Sequence, residues 1–287
     1  MQPPLIFIGM HRSGTSMLVR LLENSGLFAG TRKDRNNEAI FFKQLNFWLM
    51  AQCGGRWDAP DPVHYLLKNK ELLTWAEKYL RKMLHSPRAI HFLGLRQYIT
   101  GRGINGINIP WGWKDPRNTF TLPLWLRIFP EARVLYIERH GVDAAHSLFV
   151  REKKLFSQTT SEFQKYQFIT PYRPKKGGFY GSPRCSSLEG GFSLWMEYID
   201  QAQQVLADLP DHRVLKLQYE HFLEKPVSCL QQCAEFCGLD ISIENIEKIS
   251  ADVDSSRAYA YRKNPVLLEF AQIHRKELQL RGYTSPP

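Results

Sequence analysis

Leu5-Ile6-Phe7-Ile8-Gly9-Met10-His11-Arg12-Ser13-Gly14-Thr15-Ser16 decides the reading of this chain. Four consecutive apolar residues predict a short buried strand, and the glycine directly after them predicts a turn. From Ser16 to Ser25 the period becomes helical, with Met17, Leu18, Leu21 and Leu22 on one side and Gly26 as the C-cap. The order is strand, loop, helix. The loop has the outline Gly-x-x-x-x-Gly of a phosphate-binding loop, but Thr15 stands where a nucleotide triphosphatase has its lysine. Backbone N–H groups at a helix start still attract an anion, aided by the helix dipole. Arg12 adds a fixed charge. Ser13, Gly14, Thr15 and Ser16 complete the candidate anion loop. A plain strand–helix turn is the alternative.

The same alternation returns along the chain. Residues 38–53 and 70–85 read as helices, and Gly101 to Gly112 as a loop rich in Gly and Asn. Leu122 to Phe129 reads as a helix stopped by Pro130. Arg133 to Glu138 is a second strand, with a helix from Val142 to Lys154. Residues 157–190 show little periodicity and read as a long irregular loop. A helix over Phe192–Leu206, a third strand at Arg213–Leu217, a helix over Val227–Cys237 and a last helix after a basic, aromatic stretch (Ser255–Asn264) complete the chain. Strands alternating with helices predict an α/β fold: a P-loop-type parallel sheet flanked by helices, in a single domain over residues 1–287. Ligands on such sheets bind beyond the C-terminal strand ends, here just after Ile8, Ile137 and Leu217.

Composition narrows the partners. The 287 residues are 43% hydrophobic and 23% charged, which supports a sizeable core and excludes disorder. Lys and Arg outnumber Asp and Glu by 38 to 28, favouring an anionic ligand. The surplus is spread over several short runs and forms no nucleic-acid module, so nucleic acid is not an expected partner. No run approaches the roughly 20 apolar residues of a membrane span. The first residues do not read as a secretory leader. Cys229, Cys233 and Cys237 recur every four residues on one helix; they are either buried small hydrophobes or a metal or redox site, and no histidine partners them. A reducing cytoplasm is the expected location.

Four further stretches carry chemistry. Arg133-Val134-Leu135-Tyr136-Ile137-Glu138-Arg139 places an arginine at a strand tip, with Ser147 eight residues on in the next helix. The two can converge on one phosphate, for which Arg gives a bidentate grip. Trp111-Gly112-Trp113-Lys114-Asp115-Pro116-Arg117 precedes that strand. Asn36-Asn37-Glu38 leads into Leu45-Asn46 seven residues later. Gln218-Tyr219-Glu220 follows the third strand.

Taken in this order, these stretches resemble the PAPS-dependent sulfotransferases over about residues 5–283. PAPS is 3′-phosphoadenosine 5′-phosphosulfate, and the product left behind is 3′-phosphoadenosine 5′-phosphate. The first loop is similar to the family's 5′-phosphosulfate loop, with His11 replacing the usual proline. Arg12 in place of lysine resembles the tyrosylprotein and bacterial branches. Arg139 and Ser147 match the family's 3′-phosphate motif. The resemblance implies that Lys114 and Arg12 neutralise charge on the transferring sulfuryl group, and that Glu38 is the general base. A dipole-favoured glutamate at a helix start is the alternative for Glu38, and His11, His140 and His146 are rival bases. Tyr219 would lie near the adenine or brace the strand end. Arg262, with Arg257 and Lys263, falls where the family closes a basic segment over the nucleotide. The implied reaction is direct in-line sulfuryl transfer to a hydroxyl acceptor, a small molecule, carbohydrate or lipid, with no metal. A P-loop kinase and a non-catalytic nucleotide-binding protein are the other readings; the first lacks its lysine and its magnesium carboxylate, the second would lack Glu38 and Lys114.

Overall fold

The computed structural model describes residues 2–101 and 103–283. Among them, four strands form one parallel sheet: β1 (Leu5–Ile8), β2 (Gly112–Lys114), β3 (Arg133–Glu138) and β4 (Val214–Gln218), in the order β2-β1-β3-β4. The helices of eight residues or more are α1 (Thr15–Asn24), α2 (Ile40–Ala51), α3 (Lys70–Leu84), α4 (Asn118–Ile128), α5 (Gly141–Tyr166), α6 (Leu188–Ala207), α7 (Pro226–Cys237), α8 (Ile243–Ser250) and α9 (Pro265–Ile273). The expected α/β class is the one observed.

The chain folds as two compact units. The first runs up to Arg139 and resumes over Tyr198–Ala258; the second is His140–Glu197 with the segment from Tyr259 onward. The whole sheet belongs to the first. Leu5 pairs with Gly112 on one side and Arg133 on the other, and Ile137 pairs with Leu217. Because every pairing is parallel, the C-terminal ends of all four strands meet one edge. β1 and the middle of β3 are buried on both faces, which explains why they read as continuous apolar runs, whereas β4 alternates, with Lys216 and Gln218 exposed.

Two hydrophobic regions fix this unit. Leu18, Leu22, Leu135, Leu217, Phe222, Leu230 and their neighbours form one core. Cys229, Cys233 and Cys237 lie in it as free thiols. Burial pushes the Cys237 thiol up to about 12, so these sulfurs are packing groups in the folded chain. The second region is aromatic. Phe42 stacks on Trp113 with centroids 4.0 Å apart, and Trp111, Trp125, Phe92 and Phe129 pack around them. Trp111 and Trp113 are therefore core residues, available to no ligand.

Besides helices that the sequence reading does not name, such as α8, the structure differs from that reading at two longer stretches. β2 lies at the end of a stretch expected to be a loop. Its three residues are too few to show a period, and pairing with β1 makes it a strand. Gly112 is required there, since a Cβ would sit 2.2 Å from the Leu5 carbonyl oxygen. Second, the stretch expected to be irregular from 157 to 190 begins inside α5, which continues to Tyr166, and ends inside α6, which starts at Leu188. Only residues 167–187 connect the two. The distal turns of α5 are polar and exposed, so they carry no apolar stripe to betray a helix.

In the second unit, Asp143 Oδ1 accepts the Tyr261 N–H at 2.9 Å, and His140 stacks on Tyr261 at 4.3 Å. Phe192, Trp195, Phe270 and Tyr283 complete its interior.

Candidate active site

The loop after β1 is held open by its own backbone. Gly9 has φ 137°, Arg12 φ 71° and Gly14 φ 95°. Gly14 is the N-cap residue of α1, no side chain caps that helix, and its first turn contains no acid. The N-terminal N–H groups of α1 therefore have no side-chain cap and no carboxylate in their own first turn, the electrostatic condition for holding an anion. Gly9 N–H donates to Thr119 Oγ1 at 3.2 Å, tying the loop to α4. A Cβ on Gly9 would meet the Ile137 carbonyl oxygen at 2.4 Å. Ser13 is turned inward: its hydroxyl donates to the Met10 carbonyl at 2.7 Å. It shapes the loop through this bond.

Tyr219, at the end of β4, closes against the same loop. A Cβ on Gly14 would lie 2.3 Å from Tyr219 Cδ2. The Arg139 guanidinium sits 4.9 Å from the Tyr219 ring centroid; it donates to the Arg12 carbonyl at 3.3 Å and the Arg257 carbonyl at 3.5 Å. Arg12, Gly14, Arg139, Tyr219 and Arg257 are thus one neighbourhood, drawn from three strand ends and the segment after α8. Burial raises the Tyr219 phenol, opposed by the Arg139 and Arg257 charges.

Lys114 ends β2 and is 2% exposed, as is Glu38. Its Nζ donates to Ser16 Oγ at 3.1 Å and lies 3.4 Å from Glu38 Oε1. Ser16 Oγ in turn donates to the Asn36 carbonyl at 2.8 Å. The first turn of α1, the tip of β2 and the turn that leads into α2 are therefore linked through the side chains of Ser16, Lys114 and Glu38. Burial lowers the Lys114 ammonium below the ordinary lysine range, with Glu38 and Asp115 pulling the other way.

Glu38 has a second cation. Lys43 Nζ is 3.0 Å from Glu38 Oε2 and also bonds Asp34. Asp34 Oδ1 accepts the N–H groups of Asn36 (2.8 Å) and Glu38 (3.1 Å). Burial works to raise the Asp34 carboxyl, but Lys43 and these N–H donors outweigh it and hold it below the usual range. Asp34 is thus the brace of the turn that delivers Glu38. Asn37 takes φ 58° within that turn, and its side-chain amide donates to the Ser16 carbonyl at 3.4 Å. The sequence pattern singles out neither residue: Asp34 sits among Arg32, Lys33 and Arg35, and Lys43 resembles a solvated residue on an amphipathic helix.

A buried polar cluster lies behind Lys114. Asp115 accepts from Asn46 Nδ2 at 3.0 Å and from the Arg117 N–H at 3.0 Å. Asn46 Oδ1 takes the Thr121 hydroxyl and the Trp125 indole N–H, each at 2.8 Å, and Asn118 Nδ2 donates to the Phe7 carbonyl at 3.0 Å. Asp115 therefore both caps a turn and fixes α2 against α4. Asn46, quoted from the sequence only as half of the Leu45-Asn46 pair, donates to Asn118 Oδ1 at 2.7 Å, and Asn118 is a member of this cluster that the sequence did not single out.

His11 meets the Trp57 ring edge-on at 4.6 Å. Ser147 on α5 and Arg262 in the turn Ala260–Lys263 belong to the second unit, where the Arg262 guanidinium lies 4.1 Å from the Tyr259 ring centroid. His140 and His146 are in the same unit.

The sequence profile described as "Sulfotransferase family" matches residues 3–242. The chain belongs to the sulfotransferase family. No curated protein matches the sequence. Among solved structures, the sulfotransferase domain from the curacin biosynthetic pathway is 14% identical with a TM-score of 0.53, covering 99% of each chain. The sulfotransferase domain of the Synechococcus PCC 7002 olefin synthase is 14% identical at TM-score 0.51, covering 99% of this chain and 96% of its own. Sulfotransferase STF1 of Mycobacterium tuberculosis H37Rv is 13% identical at TM-score 0.51, covering 95% and 76%. At these identities the likeness is one of fold. No helix among the described residues of this sulfotransferase is long and apolar enough to cross a membrane.

Proposed function

We propose that this sulfotransferase uses PAPS as donor and transfers its sulfuryl group directly, in line, to an acceptor hydroxyl. The observation that carries the reading is Lys114, whose ammonium reaches both Ser16 at the start of α1 and Glu38. A cation and a carboxylate are thereby set together beside an uncapped helix start. The donor set suits a nucleotide with phosphate and sulfate groups: the uncapped N–H groups of α1, Arg12 and Lys114, with Arg139 and Tyr219 beside the loop. When bound, PAPS supplies an electrophilic sulfuryl group on a phosphate leaving group.

Each residue then has a defined task. The α1 N-terminus, Arg12 and Lys114 stabilise negative charge at the loop, the electrostatic role that dominates such transfers. Glu38 removes the acceptor proton, which a hydroxyl must lose to become a good nucleophile. Lys43 and Asp34 hold the Glu38 carboxylate in place. Arg139 grips the 3′-phosphate. The acceptor is a small molecule, carbohydrate or lipid that carries a hydroxyl.

A thermal-shift comparison tests the donor. 3′-Phosphoadenosine 5′-phosphate should raise Tm more than ATP with or without magnesium, since a ligand at a hundred times its Kd adds about 2.7 kcal/mol to native stability. Equal or greater stabilisation by Mg-ATP would favour a kinase-like site instead.

A further inference from the structure

The distal turns of α5 and the segment that follows them carry a surface that sulfuryl transfer does not use. α5 has 26 residues, about 39 Å at the helical rise. The chain turns at residues 167–173 and comes back along the helix. Three attachments fix this returning strap. Glu152, fully buried, accepts the N–H groups of Gly181 (2.7 Å) and Ser182 (3.0 Å). Thr159 Oγ1 donates to the Phe179 carbonyl at 2.8 Å. Phe156 stacks on Tyr180 at 4.6 Å, with Phe163 against Phe179 at 5.4 Å. The arm is ordered by its own contacts.

What it presents is unusual for a solvated surface. Tyr166, Phe168 and Tyr172 are 51%, 71% and 87% exposed, all at the turn. Lys165, Arg173 and Lys176 are exposed close by in the chain, and Lys153 and Lys154 are exposed farther back along α5, against one exposed carboxylate, Glu162. Exposed rings alternating with cations match the interface of an anionic bilayer. Rings with a polar tip settle at headgroup level, while lysines and arginines meet anionic headgroups. Cations alone would serve an acidic protein equally well; the three bare rings at the turn favour lipid.

We propose that the arm formed by the distal turns of α5 and residues 167–180 is a peripheral docking surface for anionic lipid bilayers. It seats the enzyme on the membrane surface without inserting a helix across it.

The test is flotation of the full-length protein with phosphatidylcholine vesicles, with and without 30 mole per cent phosphatidylserine (about a third anionic, a strongly charged cytoplasmic-type surface). The protein should float with the anionic vesicles and release as salt is raised. Each basic residue near such a surface contributes about fivefold in partitioning. Lys165→Glu with Arg173→Glu should therefore cut binding by at least about tenfold. Phe168→Ser with Tyr172→Ser should do the same while leaving Tm and solution turnover unchanged, since these side chains are solvent-exposed. Failure of the wild-type protein to bind anionic vesicles overturns the proposal. So does wild-type binding by the Phe168/Tyr172 variant, because the choice of a lipid occupant rests on those rings.

Discussion

Lys114 Nζ lies 3.4 Å from Glu38 Oε1, with both side chains 2% exposed, so the proposed charge neutraliser and the proposed base form one buried ion pair. Removing either partner leaves the other charged and out of water, which is strongly destabilising. Lys43 moderates this for Glu38, because it holds the other carboxylate oxygen at 3.0 Å.

Glu38→Gln keeps the shape and abolishes the base, but it also sets an NH2 donor against one of the two lysines, so Tm is measured alongside turnover. We expect kcat to fall roughly 10²–10⁴-fold, with kcat/KM falling in parallel, as for an interaction felt only in the transition state. Affinity for 3′-phosphoadenosine 5′-phosphate, measured by calorimetry, should change little. Near-normal turnover would move the role to His11 or His146.

The direction of the Lys114 shift gives a pH prediction. Burial lowers its ammonium, so the folded protein loses this proton below about pH 10.4, where free lysine does. Charge neutralisation needs the ammonium, so kcat/KM should decline on the alkaline side, beginning below that value. The unfolded chain binds this proton more tightly. Lys114 therefore contributes a stability cost at neutral pH that is relieved as pH rises between the folded and unfolded values. Lys114→Arg should remove the alkaline limb, since arginine stays charged. A limb unchanged in the Arg variant would assign it to another group.

Gly14 is bound sterically to Tyr219. Gly14→Ala places a Cβ 2.3 Å from the ring and forces alanine to φ 95°. A loss of about 1–3 kcal/mol is expected from the backbone alone, and more from the clash. Adding Tyr219→Ala should recover the steric part and leave the backbone part. Urea denaturation of the double-mutant cycle separates the two; strict additivity would mean that the ring and the loop do not touch.

Arg139→Ala tests the 3′-phosphate assignment. Loss of a charged partner to a buried phosphate costs about 2–5 kcal/mol. 3′-Phosphoadenosine 5′-phosphate should lose this affinity, whereas adenosine 5′-phosphosulfate, without the 3′-phosphate, should be nearly indifferent. Equal losses for both nucleotides would assign Arg139 to bracing the loop through the Arg12 carbonyl.

What could be read from the sequence follows from distance along the chain. β1, its loop and α1 are encoded within 20 consecutive residues, so the pattern is local and visible. β3 and Arg139 are visible for the same reason. The polar cluster joining Asn46 to Asp115 and Asn118 spans about 70 residues, and each member alone resembles a surface side chain. Lys43 was invisible because its partners, Glu38 and Asp34, are brought to it by a turn with a positive φ at Asn37. β2 is a strand only by virtue of its neighbour. The distal part of α5 lacks the apolar stripe that periodicity detects.

The three thiols of α7 have a use that owes nothing to catalysis. Cys229, Cys233 and Cys237 are at most 4% exposed, whereas Cys53 is only partly covered. An alkylating reagent added to the native protein should therefore mark Cys53 quickly and the three core sulfurs only when that core opens. The chain carries its own clock for unfolding, and mass spectrometry can read it one adduct at a time.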